Sequence, residues 1–265
     1  MPVVSIDAPP KQTGLSERQS RILEIVQGRG FATIEQLSAV FAVSAQTIRR
    51  EVIRLDAARL LQRFHGGAGI AGDSVRLGYR SKQEVAIGSK ARVGRAVADL
   101  VPDGASIYLD VGTTVEAVAT ALVGRPLGMV WTNSMSAAAI LGQSRQAEIY
   151  VTGGLVRGGD GSLVGDAATK ALAPIAVDFA VIGCSGFAPD GSPTDFDPQK
   201  VAIKQAAIDN ARAAIIAVDS SKFDRMAVMR IAPLSSFRIL VCDREPHAAL
   251  GRQLRAARVE VRLAA

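Results

Sequence analysis

From residue 106 to the end, one rhythm governs the chain. A short apolar run closes on small or polar residues, an alanine-rich helical stretch usually follows, and another apolar run begins. The runs fall at 106–109, 128–132, 148–152, 178–183, 213–219, 238–242 and 259–263, with helical stretches such as 135–141 and 201–211 between them. Strands joined by helical crossovers pair in parallel and bury both faces under helices. The rhythm therefore predicts a mostly parallel α/β sheet over residues 83–265, with a further helix at 91–100.

Residues 16–70 read differently. "LSERQSRILEIVQGRG" puts Ile22, Leu23 and Val26 on one helical face, with Ser16 as N-cap and Gly30 as stop. "FATIEQLSAVFAV" gives a second short helix with Ile34, Leu37 and Phe41 inward. After a turn at Ala42-Val43, Ser44 caps a third helix whose Ile48, Val52 and Leu55 recur at i, i+4 and i+7. "LLQRFHGGAGI" then reads as a strand entering a glycine turn. Three helices and a strand pair, with a short turn between the last two helices, predict a winged helix-turn-helix. Residues 1–15 are expected to be a flexible tail and 71–82 a linker.

The third helix carries chemistry suited to a DNA groove. Gln46, Arg49, Arg50 and Arg54 fall on outward or flanking positions, and Gln and Arg can pair bidentately with adenine and guanine for about 1–3 kcal/mol of discrimination each. Ser44 and Thr47 can donate to phosphate at the helix N-terminus. Arg63 and His65 extend the basic surface into the wing. Between Ser44 and His65, five arginines face only Glu51 and Asp56, and the whole chain has net charge +6. A polyanionic partner, double-stranded DNA, fits that balance.

The strand ends of the rear block form the second candidate site. Behind Asp110, the corner Gly112-Thr113-Thr114 opens a helix. Its glycine permits close approach, its hydroxyls can bond, and its first N–H groups point at whatever sits there. Other runs close on Thr132-Asn133-Ser134, Gly153-Gly154, Cys184-Ser185-Gly186 and Asp219-Ser220-Ser221-Lys222. Asp195, Asp197 and Lys204 follow in "DGSPTDFDPQKVAIKQA". A lysine early in a helix supplies charge to a phosphate, and carboxylates accept from sugar or polyol hydroxyls.

The string "FAVSAQTIRREVIRLDAARLLQRFHGGA" resembles the DNA-binding domain of the DeoR family of bacterial transcriptional regulators. The rear block resembles that family's sugar-phosphate-sensing domain, which is similar to ribose-5-phosphate isomerase and glucosamine-6-phosphate deaminase. The resemblance implies a repressor of carbohydrate or glycerol catabolism, working as a homodimer or homotetramer on operator DNA. A phosphorylated sugar or polyol, glycerol 3-phosphate-like, would release it. It also implies phosphate contacts from Gly112, Thr113, Thr114 and Lys204, with Asn133, Gly153, Gly154 and Asp195 lining the remainder. Three positions depart from the family pattern: Glu51-Val52 replaces Asp-Leu, Arg59 stands before the wing in place of glycine, and Lys200 replaces a glutamate.

Other classes lack their signatures. Two cysteines, Cys184 and Cys242, end apolar runs and read as buried reduced thiols, and with only His65 and His247 beside them no cluster has the spacing of a zinc site. No P-loop, dinucleotide fingerprint, nucleophile elbow or leader pattern occurs, and no apolar stretch approaches the ~18 residues of a membrane span. The reading is a cytoplasmic regulator without cofactor or catalysis. Two alternatives stand beside it. One is a sugar-phosphate isomerase with an appended DNA-binding module, using Asp110 or Asp195 as base and Lys204 or Lys222 as electrophile. The other is an architectural DNA binder whose rear half only dimerises.

Overall fold

The computed structural model describes residues 15–29, 31–58, 60–64, 67–70, 79–157 and 159–265. The chain divides into two compact units, Met1–Val75 and Arg76–Ala265.

The first unit contains α1 (Glu17–Arg29), β1 (Phe31–Thr33), α2 (Ile34–Phe41), α3 (Ala45–Ala57), β2 (Leu61–Phe64) and β3 (Gly67–Ile70). Its helix starts are fixed by side chains. Gln19 N–H donates to Ser16 Oγ at 3.2 Å while Ser16 N–H donates to Gln19 Oε1 at 2.9 Å, and Thr33 with Gln36 repeats the device on α2. Ala42 ends α2 in the left-handed region at φ 51°, which turns the chain into the Ser44 cap of α3. Ile22, Leu23, Val26, Ile34, Leu37, Ile48, Val52, Leu55 and Leu61 form one core, with Phe41 partly buried against it. Leu15 packs there too, so the tail expected over 1–15 does not extend to that residue; residues 1–14 lie outside those described. β3 lies between β1 and β2 in an antiparallel sheet. The three-residue β1 was missed because "FAT" is too short to show a period.

The second unit begins with α4 (Tyr79–Glu84), α5 (Ile87–Ala98), β4 (Ile107–Leu109), α6 (Thr113–Leu122), β5 (Met129–Thr132), α7 (Met135–Leu141) and β6 (Glu148–Val151). It continues through β7 (Leu155–Arg157), β8 (Ser162–Val164), α8 (Asp166–Leu172), β9 (Val177–Ile182), β10 (Gly186–Phe187), β11 (Pro193–Asp195) and α9 (Pro198–Asp209). It ends with β12 (Ala211–Ala217), β13 (Met229–Arg230), β14 (Ile239–Cys242), α10 (Ala248–Ala256) and β15 (Glu260–Leu263). The seven apolar runs become one parallel sheet in the order β15-β14-β12-β9-β4-β5-β6. Alternate residues supply opposite faces: Tyr108, Ala180, Ile182, Ile216 and Leu240 enter one core, and Ile107, Leu109, Val181, Ile215 and Val241 the other.

Three boundaries differ from expectation. The linker drawn over 71–82 ends earlier, because Tyr79–Glu84 is helical and bonded into this unit; residues 71–78 lie outside those described. The helix expected at 91–100 starts at Ile87. The one expected at 201–211 starts at Pro198, because Asp197 caps it and proline suits a first turn, and residue 211 already belongs to β12. The small antiparallel pairings β7-β8 and β10-β11-β13 were not anticipated.

Strand order matters for function. The chain runs outward one way through β4, β5 and β6, then returns beside β4 with β9 and proceeds the other way. Order reverses between β4 and β9, where an open α/β sheet leaves a crevice at the strand ends. The close approach of α5 and α6 fixes one wall of that region: a Cβ on Gly94 would lie 2.4 Å from the Ala117 carbonyl oxygen. Gly94→Ala is expected to destabilise the protein by about 1–3 kcal/mol. Gly88→Ala on the same helix, whose Cβ would meet nothing nearer than Arg92 Nη1 at 3.8 Å, is expected to be neutral or stabilising by up to ~1 kcal/mol. Urea denaturation of both variants checks the contrast.

Candidate functional site

The outer face of α3 is the first candidate site. Ser44 Oγ accepts the Thr47 N–H at 3.2 Å and lies 2.9 Å from the Thr47 hydroxyl, so it already caps the helix. With Ile48, Val52 and Leu55 in the core, Gln46, Arg49, Arg50 and Arg54 are exposed and Thr47 is half-buried. Arg63 is exposed on β2 and its backbone N–H donates to Asp56 Oδ1 at 2.9 Å. Arg59 and His65 lie outside the described residues.

Glu51 does not belong to that outer face. It is buried, accepting from Arg18 Nη2 at 2.7 Å and from Gln19 Nε2 at 2.6 Å. The Arg18 hydrogen bond holds its carboxyl below the usual value despite burial. One of the two acids set against the arginines is thus turned inward to tie α3 to α1. Sequence reasoning missed this pairing, whose only trace was Arg18-Gln19 in the first turn of α1.

The second candidate site is a polar cavity of about 80 Å³ at the β4/β9 switch point. Gly112, Thr113, Thr114, Asp195, Lys204 and Lys222 all line it, so six of the predicted residues share one hollow. Gly112 takes φ 124° as it turns the chain from β4 into α6, and α6 begins without a side-chain cap. The first N–H groups of that helix therefore stand without the usual side-chain acceptor, at its positive end.

Asp110 and Lys204 are both 1% exposed and form an ion pair. Asp110 Oδ2 also accepts the Gly183 N–H at 3.0 Å. Lys204 Nζ donates to the Gly183 carbonyl at 2.9 Å and lies 3.4 Å from Asp195 Oδ2. Burial works against the Lys204 charge, but Asp110 and Asp195 outweigh it and raise its pKa. Each ammonium hydrogen thus has a protein acceptor nearby. Lys222 differs: it is half-buried, it lines the cavity, and burial lowers its pKa.

Asp110, held behind Lys204, and Asn133, Gly153 and Gly154 do not line this cavity. Asn133 is fully buried, accepting from Tyr108 Oη at 2.8 Å and donating to the Leu163 carbonyl at 3.2 Å. Its own carbonyl takes the Leu163 N–H at 2.8 Å. The end of β5 thereby holds the β7-β8 hairpin. Gly154 serves packing, since a Cβ there would lie 2.7 Å from the Val164 carbonyl oxygen. Lys82 and Asp160, which the sequence did not single out for the site, join the lining, together with Ser185 from the Cys184-Ser185-Gly186 strand end and Lys200, noted only as a departure. Lys200 pairs with Asp160, tying the hairpin turn to α9, and Arg157 Nη1 reinforces the link 3.3 Å from Asp197 Oδ2. No pattern in the sequence announces this contact across the 40 positions between 160 and 200.

Cys184 also lines the cavity, and burial pushes its thiol up to about 12. It is half-buried, whereas Cys242 is buried as expected, and both are free. Among the described residues no three His, Cys, Asp or Glu side chains group for a metal ion, and no helix is long and apolar enough to cross a membrane.

A winged helix-turn-helix with an outward arginine row, joined in one chain to an α/β unit with a lysine-lined hollow at its switch point, defines a ligand-sensing transcriptional regulator. This chain belongs to the DeoR family: the DeoR-like helix-turn-helix domain matches residues 18–73 and the DeoR C-terminal sensor domain matches residues 85–244. The glycerol-3-phosphate regulon repressor of Escherichia coli K12 is 35% identical over 89% of this chain and 92% of its own. The transcriptional repressor CsqR of the same organism is 30% identical over 92% and 94%. The solved ribose 5-phosphate isomerase A of Methanocaldococcus jannaschii overlaps 51% of this chain and 53% of its own, at TM-score 0.35 and 18% identity, a likeness too slight to argue from.

Two outcomes test these contacts. The Glu51 carboxyl is more acidic folded than unfolded, so its stabilising effect is complete above the ordinary value of 4.5 and disappears as pH falls through the lower folded value. Glu51→Gln is expected to flatten that acid dependence, read by hydrogen exchange of peptides from residues 17–57. Lys204→Met leaves Asp110 buried without its cation and is expected to cost about 3–5 kcal/mol in thermal or urea unfolding.

Proposed function

We propose that this regulator represses a carbohydrate or glycerol catabolic operon and leaves its operator when a phosphorylated sugar or polyol, of the glycerol 3-phosphate kind, fills the switch-point cavity. The observation that carries the reading is the convergence of Lys222 and the uncapped start of α6 on one small hollow. A phosphate monoester brings about −1.5 to −2 charge at neutral pH and several strong acceptor oxygens. The α6 N–H groups, the hydroxyls of Thr113 and Thr114, and Lys222 supply its donors. The Asp110–Lys204 pair holds the floor of the site, while Asp195 and Ser185 face the hydroxyl-bearing remainder. The name of the E. coli relative points to the same chemistry.

Catalysis is not part of this reading. A carboxylate held by Lys204 and the Gly183 N–H is poorly placed to take a substrate proton. On the DNA side, Gln46, Arg49, Arg50 and Arg54 read base edges or phosphate while Thr47, Arg63 and His65 set the register. Two or four copies, acting in the cytoplasm, place paired reading helices on repeated half-sites.

Titrating operator affinity against glycerol 3-phosphate and other sugar phosphates tests the proposal. A loss of about 5–150-fold with one of them is expected, and indifference to all of them would refute the sensor. Lys222→Met removes a charge-assisted bond worth about 1.5–3 kcal/mol and should raise the effector midpoint without changing affinity for DNA in its absence. Arg49→Ala should lose about 1–3 kcal/mol on the operator and relax its base preference; equal loss on random DNA in gel-shift competition would contradict base readout.

A further inference from the structure

Helix α4 is six residues long, yet it is fastened at both ends. Tyr79 Oη donates to Glu116 Oε1 at 2.9 Å and lies 3.1 Å from Ser136 Oγ. Glu116 belongs to the first turn of α6, and its backbone N–H closes that turn onto the Gly112 carbonyl at 2.9 Å. Ser136 stands in the first turn of α7. At the other end, the buried Lys90 of α5 donates to the Lys82 and Val85 carbonyls. The side chain of Lys82 meanwhile lines the switch-point cavity.

Helix α4 is thus linked to the cavity by two routes. One is direct, through Lys82. The other runs from Tyr79 through Glu116 to the turn that presents Gly112, Thr113 and Thr114. In sequence, α4 is also the first described element after residues 71–78, which connect it to the wing strand β3. Any signal carried by the chain itself from cavity to reading unit passes through it.

We propose that Tyr79 is a positioning residue that couples occupation of the cavity to α4, and through α4 to the segment leading back to the DNA-reading unit. An anion held on the α6 start draws Lys82 and tightens the turn that carries Glu116. The Tyr79 bond makes α4 follow both changes as one body, pivoting on the carbonyls that Lys90 grips. Without the hydroxyl the anion still binds, because Tyr79 lies outside the lining, but α4 no longer follows. This inference rests on the sensor reading above.

The test uses the full chain and glycerol 3-phosphate as probe, with probe affinity measured by calorimetry and operator affinity measured with and without saturating probe. Tyr79→Phe is expected to bind the probe within about two-fold of wild type, while the wild-type change in operator affinity, about 5–150-fold, falls to within about two-fold of none. Ser136→Ala, which spares the Glu116 bond, is expected to keep most of the response. A Tyr79→Phe protein that responds as fully as wild type, or a Ser136→Ala protein as silent as Tyr79→Phe is expected to be, overturns the coupling role. A wild-type protein that neither binds the probe nor responds removes the sensor reading itself, a result distinguishable from failure of the coupling alone.

Discussion

The second unit depends on one buried ion pair. Asp110 and Lys204 meet where the strand order reverses, and their pairing with both backbone groups of Gly183 ties the ends of β4, β9 and the flank of α9 into one knot. Two ions withdrawn from water gain little net stability over a well-packed apolar pair. What they provide here is placement. The end of β4 cannot drift from that of β9 without separating opposite charges in a medium that screens them weakly, so the corner that follows Asp110 holds its position before any ligand arrives.

That arrangement divides labour among the lysines. Lys204, which looks from the sequence like the natural phosphate ligand, is engaged by Asp110, Gly183 and Asp195. Lys200 secures the hairpin turn through Asp160. Lys222 lines the hollow at the end of a strand two places from β4, with Asp219 and Asp195 acting on its charge only at longer range. In the first unit, Glu51 plays a role analogous to that of Asp110: a buried carboxylate orients α3 against α1 and leaves the outward charge of α3 unopposed by it.

Much of this could be read from the residues because it depends on local periodicity. All seven strands of the large sheet and the three helices of the front unit were visible as apolar spacing, and Ser16 and Ser44 mark helix starts by chemistry that reaches only three residues. The hollow itself was legible because parallel strands must all end on one edge. What the sequence did not reveal depends on long-range pairing. Asn133 closes a strand much as its neighbours do, and only the fold shows that it grips the β7-β8 hairpin instead of the cavity. The Lys200–Asp160 contact and the inward turn of Glu51 likewise join distant positions. The short strands β1, β10 and β13 carry too few residues to display a period.

Cys184 has a further consequence. Burial holds its thiol in the neutral form, and oxidants and electrophiles attack the ionised one. Sulfur therefore sits in the wall of the hollow without placing a thiolate there.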